Sequence, residues 1–195
     1  MPPRDSLLDV ATGEWKGLVL FGVYTGQRLG DLTRLRRDNC NMEQGILTLN
    51  TGKTNRRQIL PIAPPLLRWL GSQPVTDMSK SAPLFPMAFA IIEKKGTVGT
   101  LSNQFNRILC ASGLVPERSH RRKQDGKGRS SERAASELSF HSLRHTATSL
   151  MKNAGISPAI VQEFVGHDSK AVSENYTHIE MASLRTALAG IPDLD

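Results

Sequence analysis

Residues 14–24 (EWKGLVLFGVY) are almost unbroken apolar sequence close to the start of the chain. The stretch has the length of a helix and leaves no polar stripe, so it reads as a buried helix. A helix apolar on every side has to be enclosed by other elements. Gly26 follows and ends it, glycine being the residue that takes a positive φ at a helix C-terminus. The remaining sequence must therefore supply the enclosure. With 195 residues and 38% hydrophobic content, it can do so as one globular domain.

The elements that follow are mostly helical. A short helix is expected over about 29–35. Residues 46–50 alternate apolar and polar side chains, as do 58–62, with TGKTNRR between them. Residues 45–62 thus predict a β-hairpin with a basic tip. Pro64 and Pro65 open a helix to about residue 70, proline being tolerated in a first turn. Residues 73–83 are polar and read as loop. Leu101, Phe105, Ile108 and Leu109 mark a helix over 101–111 that Gly113 closes. Residues 140–153 predict a helix stopped by Gly155. Ser157 and Pro158 start another, which buries Ile160, Val161, Phe164 and Val165 and ends at Gly166. A short helix is expected over 170–176 and an amphipathic one over 180–189. The fold class is mainly α with a small antiparallel β-sheet (α+β), without internal repeats.

Residues 115–137 stand apart. They contain SHRRKQDGKGRSSER and no hydrophobic periodicity, and they read as a mobile basic loop inserted in the domain. Its stretch 119–133 either adds non-specific affinity for a partner or is a solvated insertion. The whole chain carries a formal charge of +7 and a pI of about 9.8. That balance favours a polyanionic partner, because phosphate contacts release condensed counterions. At 5%, aromatic residues are too few for a platform that stacks single-stranded bases. No apolar run is long enough to span a membrane, and the N-terminus lacks the apolar core of a signal peptide. Cys40 and Cys110 form no CxxC pair and read as reduced thiols of a cytoplasmic protein, with no metal site expected.

Four segments carry candidate chemistry. Arg28, just after the helix-ending Gly26, could grip a phosphate bidentately, and Asp31 one turn later could hold its guanidinium. An ordinary surface pair would look the same. Lys53 at the hairpin tip could protonate a leaving oxygen, or simply be a solvated charge. His141 and Arg144 are three apart on one helix face, with His145 on the same side, so a histidine and an arginine could share one phosphate. A basic helix end is the bland alternative. His167 follows Gly166, and Tyr176 is one of two tyrosines. An isolated tyrosine is ordinarily a half-buried aromatic with a bonded hydroxyl.

In order and spacing, these segments resemble the tyrosine recombinase, or phage integrase, family. The resemblance rests on Thr25, Gly26, Arg28 and Asp31. It continues through Gly52, Lys53, Arg56, Arg57 and Pro61, then His141, Arg144 and His145. It ends on Gly166, His167 and Tyr176 with the flanking Thr177-His178. It covers residues 14 to 180 and implies an integrase-like catalytic domain over 1–195. The family's separate N-terminal DNA-clamping domain has no counterpart expected here.

By that resemblance Tyr176 would attack a DNA phosphate to give a 3′-phosphotyrosyl link. Arg28 and Arg144 would clamp the non-bridging oxygens, and Lys53 would protonate the 5′ oxygen. His141 and His167 would bond the phosphate or assist proton transfer, and Asp31 would orient Arg28 or His141. Arg56 and Arg57 are candidate DNA-backbone contacts. No cofactor, metal or ATP is implied, and the sequence holds no P-loop and no carboxylate cluster for two metals. The partners implied are double-stranded DNA and further copies of the chain, four in a synaptic complex. The setting would be the nucleoid of a bacterium, phage or mobile element. The helix over 180–189 either packs on a neighbouring subunit or covers its own core. Two other readings compete. A type IB topoisomerase would have a longer linker before its tyrosine, and a DNA-binding module derived from this fold would have lost some of the catalytic residue types.

Overall fold

Helix α2 (Glu14–Thr25) lies at the centre, and every residue from Gly17 to Thr25 is buried. The computed structural model describes residues 5–52, 55–73, 79–116, 137–166 and 181–194. Helices α3 (Leu29–Leu32), α4 (Pro64–Ser72) and α7 (Phe140–Asn153) pack directly on α2. Two glycines let them come close. A Cβ on Gly17 would stand 2.1 Å from Cζ2 of Trp69, and one on Gly22 would stand 2.8 Å from Cδ1 of Leu143. Glycine costs a helix interior about 1 kcal/mol relative to alanine. Here that loss is offset by aromatic packing. Phe21, Trp69 and Phe85 lie with ring centroids 5.5–6.0 Å apart on one side of α2. On another side Phe105 meets Trp15 at 5.8 Å and Phe140 at 5.2 Å.

The remaining helices are α1 (Asp5–Val10), α5 (Pro86–Lys95), α6 (Gly99–Ala111), α8 (Pro158–Val165) and α9 (Met181–Ala189). Both oxygens of Glu14 accept backbone N–H bonds at the start of α5, from Met87 at 2.7 Å and Ala88 at 2.9 Å. A carboxylate there meets the positive end of the helix dipole. The sheet is antiparallel with order β1-β2-β3, from β1 (Cys40–Asn41), β2 (Ile46–Asn50) and β3 (Arg57–Pro61). Thr48 faces Ile59, and Asn50 faces Arg57 next to the turn. Alternation puts Leu47, Leu49, Gln58 and Leu60 inward.

The mainly α fold with one small antiparallel sheet matches the sequence expectation, and α7 and α8 keep the expected bounds. Differences are local. The second strand runs one residue earlier than 58–62, and the helix expected over 29–35 ends at Leu32. Helices α1 and α5 and the two-residue β1 were not anticipated. In α5, Met87 is 73% exposed and only Ala88 and Ile92 are buried, so no clean apolar stripe announces it. Helix α9 packs on β3 and α8 of its own domain and buries Leu184, Ala187 and Leu188, so it covers its own core. The Tyr24 hydroxyl donates to the Pro192 carbonyl at 2.8 Å and accepts from the Leu194 N–H at 2.9 Å. Cys40 and Cys110 are free, and burial with the nearby Asp38 pushes the Cys40 thiol up to about 12. Among the described residues no helix is long and apolar enough to cross a membrane. The helix expected over 170–176, and positions 117–136 of the basic loop, lie outside the described residues.

The contact of Gly17 with Trp69 makes the core sensitive to one methyl group. Gly17→Ala is expected to destabilise the domain by about 1–3 kcal/mol through overpacking, despite the better helix propensity of alanine. Urea unfolding checks this; unchanged or increased stability would show that the ring moves aside without strain.

Candidate active site

Arg144, on α7, is 2% exposed. Its Nη1 donates to the carbonyl of Gly26 at 2.8 Å. Gly26 caps α2 with φ 62, so the bond joins the end of the central helix to α7. The Nε and Nη2 of Arg144 are buried with no hydrogen-bond partner among the described residues. Burial first, and then the charge of Arg28, push the guanidinium pKa down to about 10 against the opposing pull of Asp31. The group stays protonated at neutral pH. A charged donor set that is buried and incompletely bonded is costly unless an anion completes it.

Arg28 sits immediately before α3 in extended backbone and is half-buried. It lines a cleft of about 630 Å³ with Asp31, Arg34, Gly52, Ser139 and His141 among its walls. Asp31 does not form the ion pair with Arg28 that its spacing suggests, among the described residues. Its Oδ1 accepts the backbone N–H of Gly52 at 2.8 Å, and its Oδ2 is buried without a partner among the described residues. A Cβ on Gly52 would stand 3.1 Å from that same Oδ1. The carboxylate therefore fastens the turn between β2 and β3, one residue before Lys53. Lys53 itself lies outside the described residues.

His141 and His145 occupy successive turns of α7 and are exposed, their rings edge to face at 4.8 Å. His141 reaches the cleft wall. At this end of α7, the Ser139 N–H donates to Oγ of Ser142 at 3.1 Å. A helix N-terminus adds partial positive charge to the cleft. Arg28, Arg144 and His141 thus come together around the α2–α3 turn, with Asp31 holding the hairpin beside them.

The hairpin is also fastened to α8. Gln58 Nε2 donates to the carbonyls of Glu163 at 3.0 Å and Phe164 at 3.5 Å, satisfying groups that a helix end leaves open. Gly166 follows with φ 70, so close that a Cβ would stand 2.6 Å from Oε1 of Gln58. Arg56, a candidate backbone contact, is instead paired with Glu163. Arg57 is exposed at the start of β3. His167 and Tyr176, with Thr177 and His178, lie outside the described residues. The other tyrosine, Tyr24, is 1% exposed with its hydroxyl bonded on both sides.

Sequence reasoning missed Gln27, Gln58 and Arg34. Gln27 is 1% exposed, and its Nε2 bonds the Thr25 carbonyl at 3.2 Å. The signal for Gln58 was a polar residue at an inward position of an alternating strand. Arg34 offered none, since its role in the cleft wall depends on tertiary placement.

A model of the phage integrase family matches residues 6–183. The tyrosine recombinase XerA of Pyrococcus furiosus is 28% identical over 173 residues, covering 88% of this chain and 51% of the relative. The chain spans about half the length of the curated relatives it matches. Among solved structures, the integrase of mycobacterium phage Brujita superposes with a TM-score of 0.64 at 18% identity, covering 96% of this chain and 60% of that one. A lambda integrase dimer bound to a COC′ core site gives 0.54 at 22% identity, covering 91% and 59%. These likenesses establish the fold.

Two measurements follow from this geometry. At constant ionic strength, inorganic phosphate should raise the Tm of the wild type, and the rise should vanish in Arg144→Leu. An equal rise in both would show that the open guanidinium is not the anion site. Gln58→Leu should destabilise the domain by about 1–3 kcal/mol and speed hydrogen exchange at the end of α8. Unchanged exchange there would show that the glutamine bonds do not hold the helix end.

Proposed function

This chain belongs to the phage integrase family, and from that membership we propose that it is the catalytic domain of a site-specific DNA recombinase that cuts and rejoins duplex DNA through a covalent phosphotyrosyl link. The observation that carries the proposal is Arg144, a buried guanidinium with two nitrogens unpartnered among the described residues and Arg28 beside it. A phosphodiester under attack needs donors on its non-bridging oxygens, and buried, fixed donors serve best because they need little reorganisation. Arg144 meets that requirement, and the half-buried Arg28 adds a second guanidinium at its side.

The nucleophile is Tyr176. The chain has two tyrosines, and the hydroxyl of Tyr24 is buried and bonded on both sides. As the Tyr176 Oη–P bond forms, the P–O5′ bond breaks. Lys53 gives its proton to the departing 5′ oxygen. Asp31 supports that step by holding the Gly52 N–H, one residue earlier. His141 and His167 bond the phosphate or relay the tyrosine proton, with His145 against the ring of His141. Attack by a 5′ hydroxyl from another strand reverses the step and reseals the DNA. The phosphotyrosyl bond conserves the energy of the original linkage, so the chemistry of these residues needs no ATP, metal or cofactor. Arg57 is free to contact the DNA backbone, whereas Arg56 is committed to Glu163. The partners are double-stranded DNA and further copies of the chain, four around a pair of sites. The setting is the nucleoid in the cytoplasm of a bacterium or the host of a mobile element.

Trapping the covalent intermediate tests this. With a nicked duplex that loses its free 5′ end on cleavage, the wild type should give a protein–DNA adduct on a denaturing gel, and Tyr176→Phe should give none. Arg28→Ala and Arg144→Ala should slow adduct formation about 10²–10³-fold. An adduct that persists in Tyr176→Phe would overturn the assignment of the nucleophile. Salt-sensitive duplex binding without any adduct would point to a DNA-binding module instead.

A further inference from the structure

We propose that Arg34 is a second phosphate-binding residue of the cleft, gripping a DNA backbone phosphate beside the one held by Arg28. The inference rests on the reading of the cleft as a DNA site and extends it to a residue outside the motif.

Arg28 and Arg34 flank the single turn of α3, and both line the same cleft. Arg34 is exposed, yet its guanidinium is not loose. Its Nη1 donates to the Gly30 carbonyl at 2.7 Å. The guanidinium packs tightly over this turn: a Cβ at residue 30 would stand 3.4 Å from Nη1 of Arg34 and 3.3 Å from Cγ1 of Val98. The guanidinium is thus held over the cleft wall with its other edge facing solvent. A positioned guanidinium loses little freedom when it takes up a phosphate.

Other arginines are engaged differently. Arg56 and Arg68 form ion pairs with Glu163 and Asp193. Arg36 lies over the Phe89 ring at 5.3 Å and donates to the Ser81 carbonyl. Arg34 forms no ion pair among the described residues. An exposed arginine fixed at the lip of a cationic cleft without a carboxylate fits a backbone phosphate. It supplies affinity without reading sequence.

The salt dependence of binding to a labelled random-sequence duplex tests the proposal, using the full chain. One lost phosphate contact should flatten the slope of log K against log salt by about 0.9, which is about eightfold in affinity between 1 M and 0.1 M salt. Arg34→Ala should show that loss, and Arg34→Lys should keep most of the slope. Arg36→Ala removes the same formal charge from outside the cleft and should leave the slope unchanged. A steep wild-type slope that Arg34→Ala does not alter would overturn the proposal and leave the function reading standing. An equal loss in Arg36→Ala would also overturn it, as a general effect of net charge. A flat wild-type response would remove the DNA site itself, and with it both readings.

Discussion

The bond from Arg144 to the Gly26 carbonyl is the hinge of this architecture. It ties the end of the most buried helix to α7 and uses only one corner of the guanidinium. The remaining donors are held in place by packing and have no acceptor among the described residues. Desolvation and the neighbouring Arg28 both work against the charge, as the depressed pKa records. Such an arrangement trades stability for readiness, since the donors need no rearrangement to receive an oxyanion. Arg28 is placed by the same turn. The Gly26 C-cap directs the chain out of α2, and the next residues bring Arg28 to the cleft and Asp31 beneath the hairpin.

Strand β3 distributes this order to the rest of the site. Its preceding turn is fastened to α3 by Asp31 and Gly52, and the residue pair Arg56 and Gln58 fastens it to the end of α8. Helix α9 then packs against β3 and α8 together. The segments carrying Lys53 and His167 therefore leave the described framework from two points that the same strand anchors. A disturbance at Gln58 would be felt at both.

Much of this was legible in the sequence where local physics decides structure. Glycines at 26 and 166 marked helix ends, and both adopt a positive φ there. Ser157 and Pro158 marked the start of α8, and strict alternation marked the hairpin. The grouping of Arg28, Arg144 and His141 was legible only through the order of the four motifs, because no one of them is specific. What stayed hidden depends on distant partners. Asp31 stands one turn from Arg28 in sequence, which suggested an ion pair, yet the fold brings Gly52 to it instead. Arg56 read as a candidate backbone contact, and nothing local announced that α8 would place Glu163 against it. Helix α5 lacked a clean apolar stripe, and its start is held by Glu14, a residue from α2.

Tyr24 has one more consequence, for the order in which the chain can fold. Its hydroxyl closes on residues 168 and 170 positions later, and α7, which covers much of α2, lies more than a hundred residues downstream. On the ribosome, the central helix α2 therefore emerges well before α7 and residues 192–194, which cover it. Contacts this distant slow folding and leave sticky surface open in the meantime. In the nascent chain the apolar surface of α2 stays open to the exit tunnel or a chaperone until α7 and residues 192–194 are released.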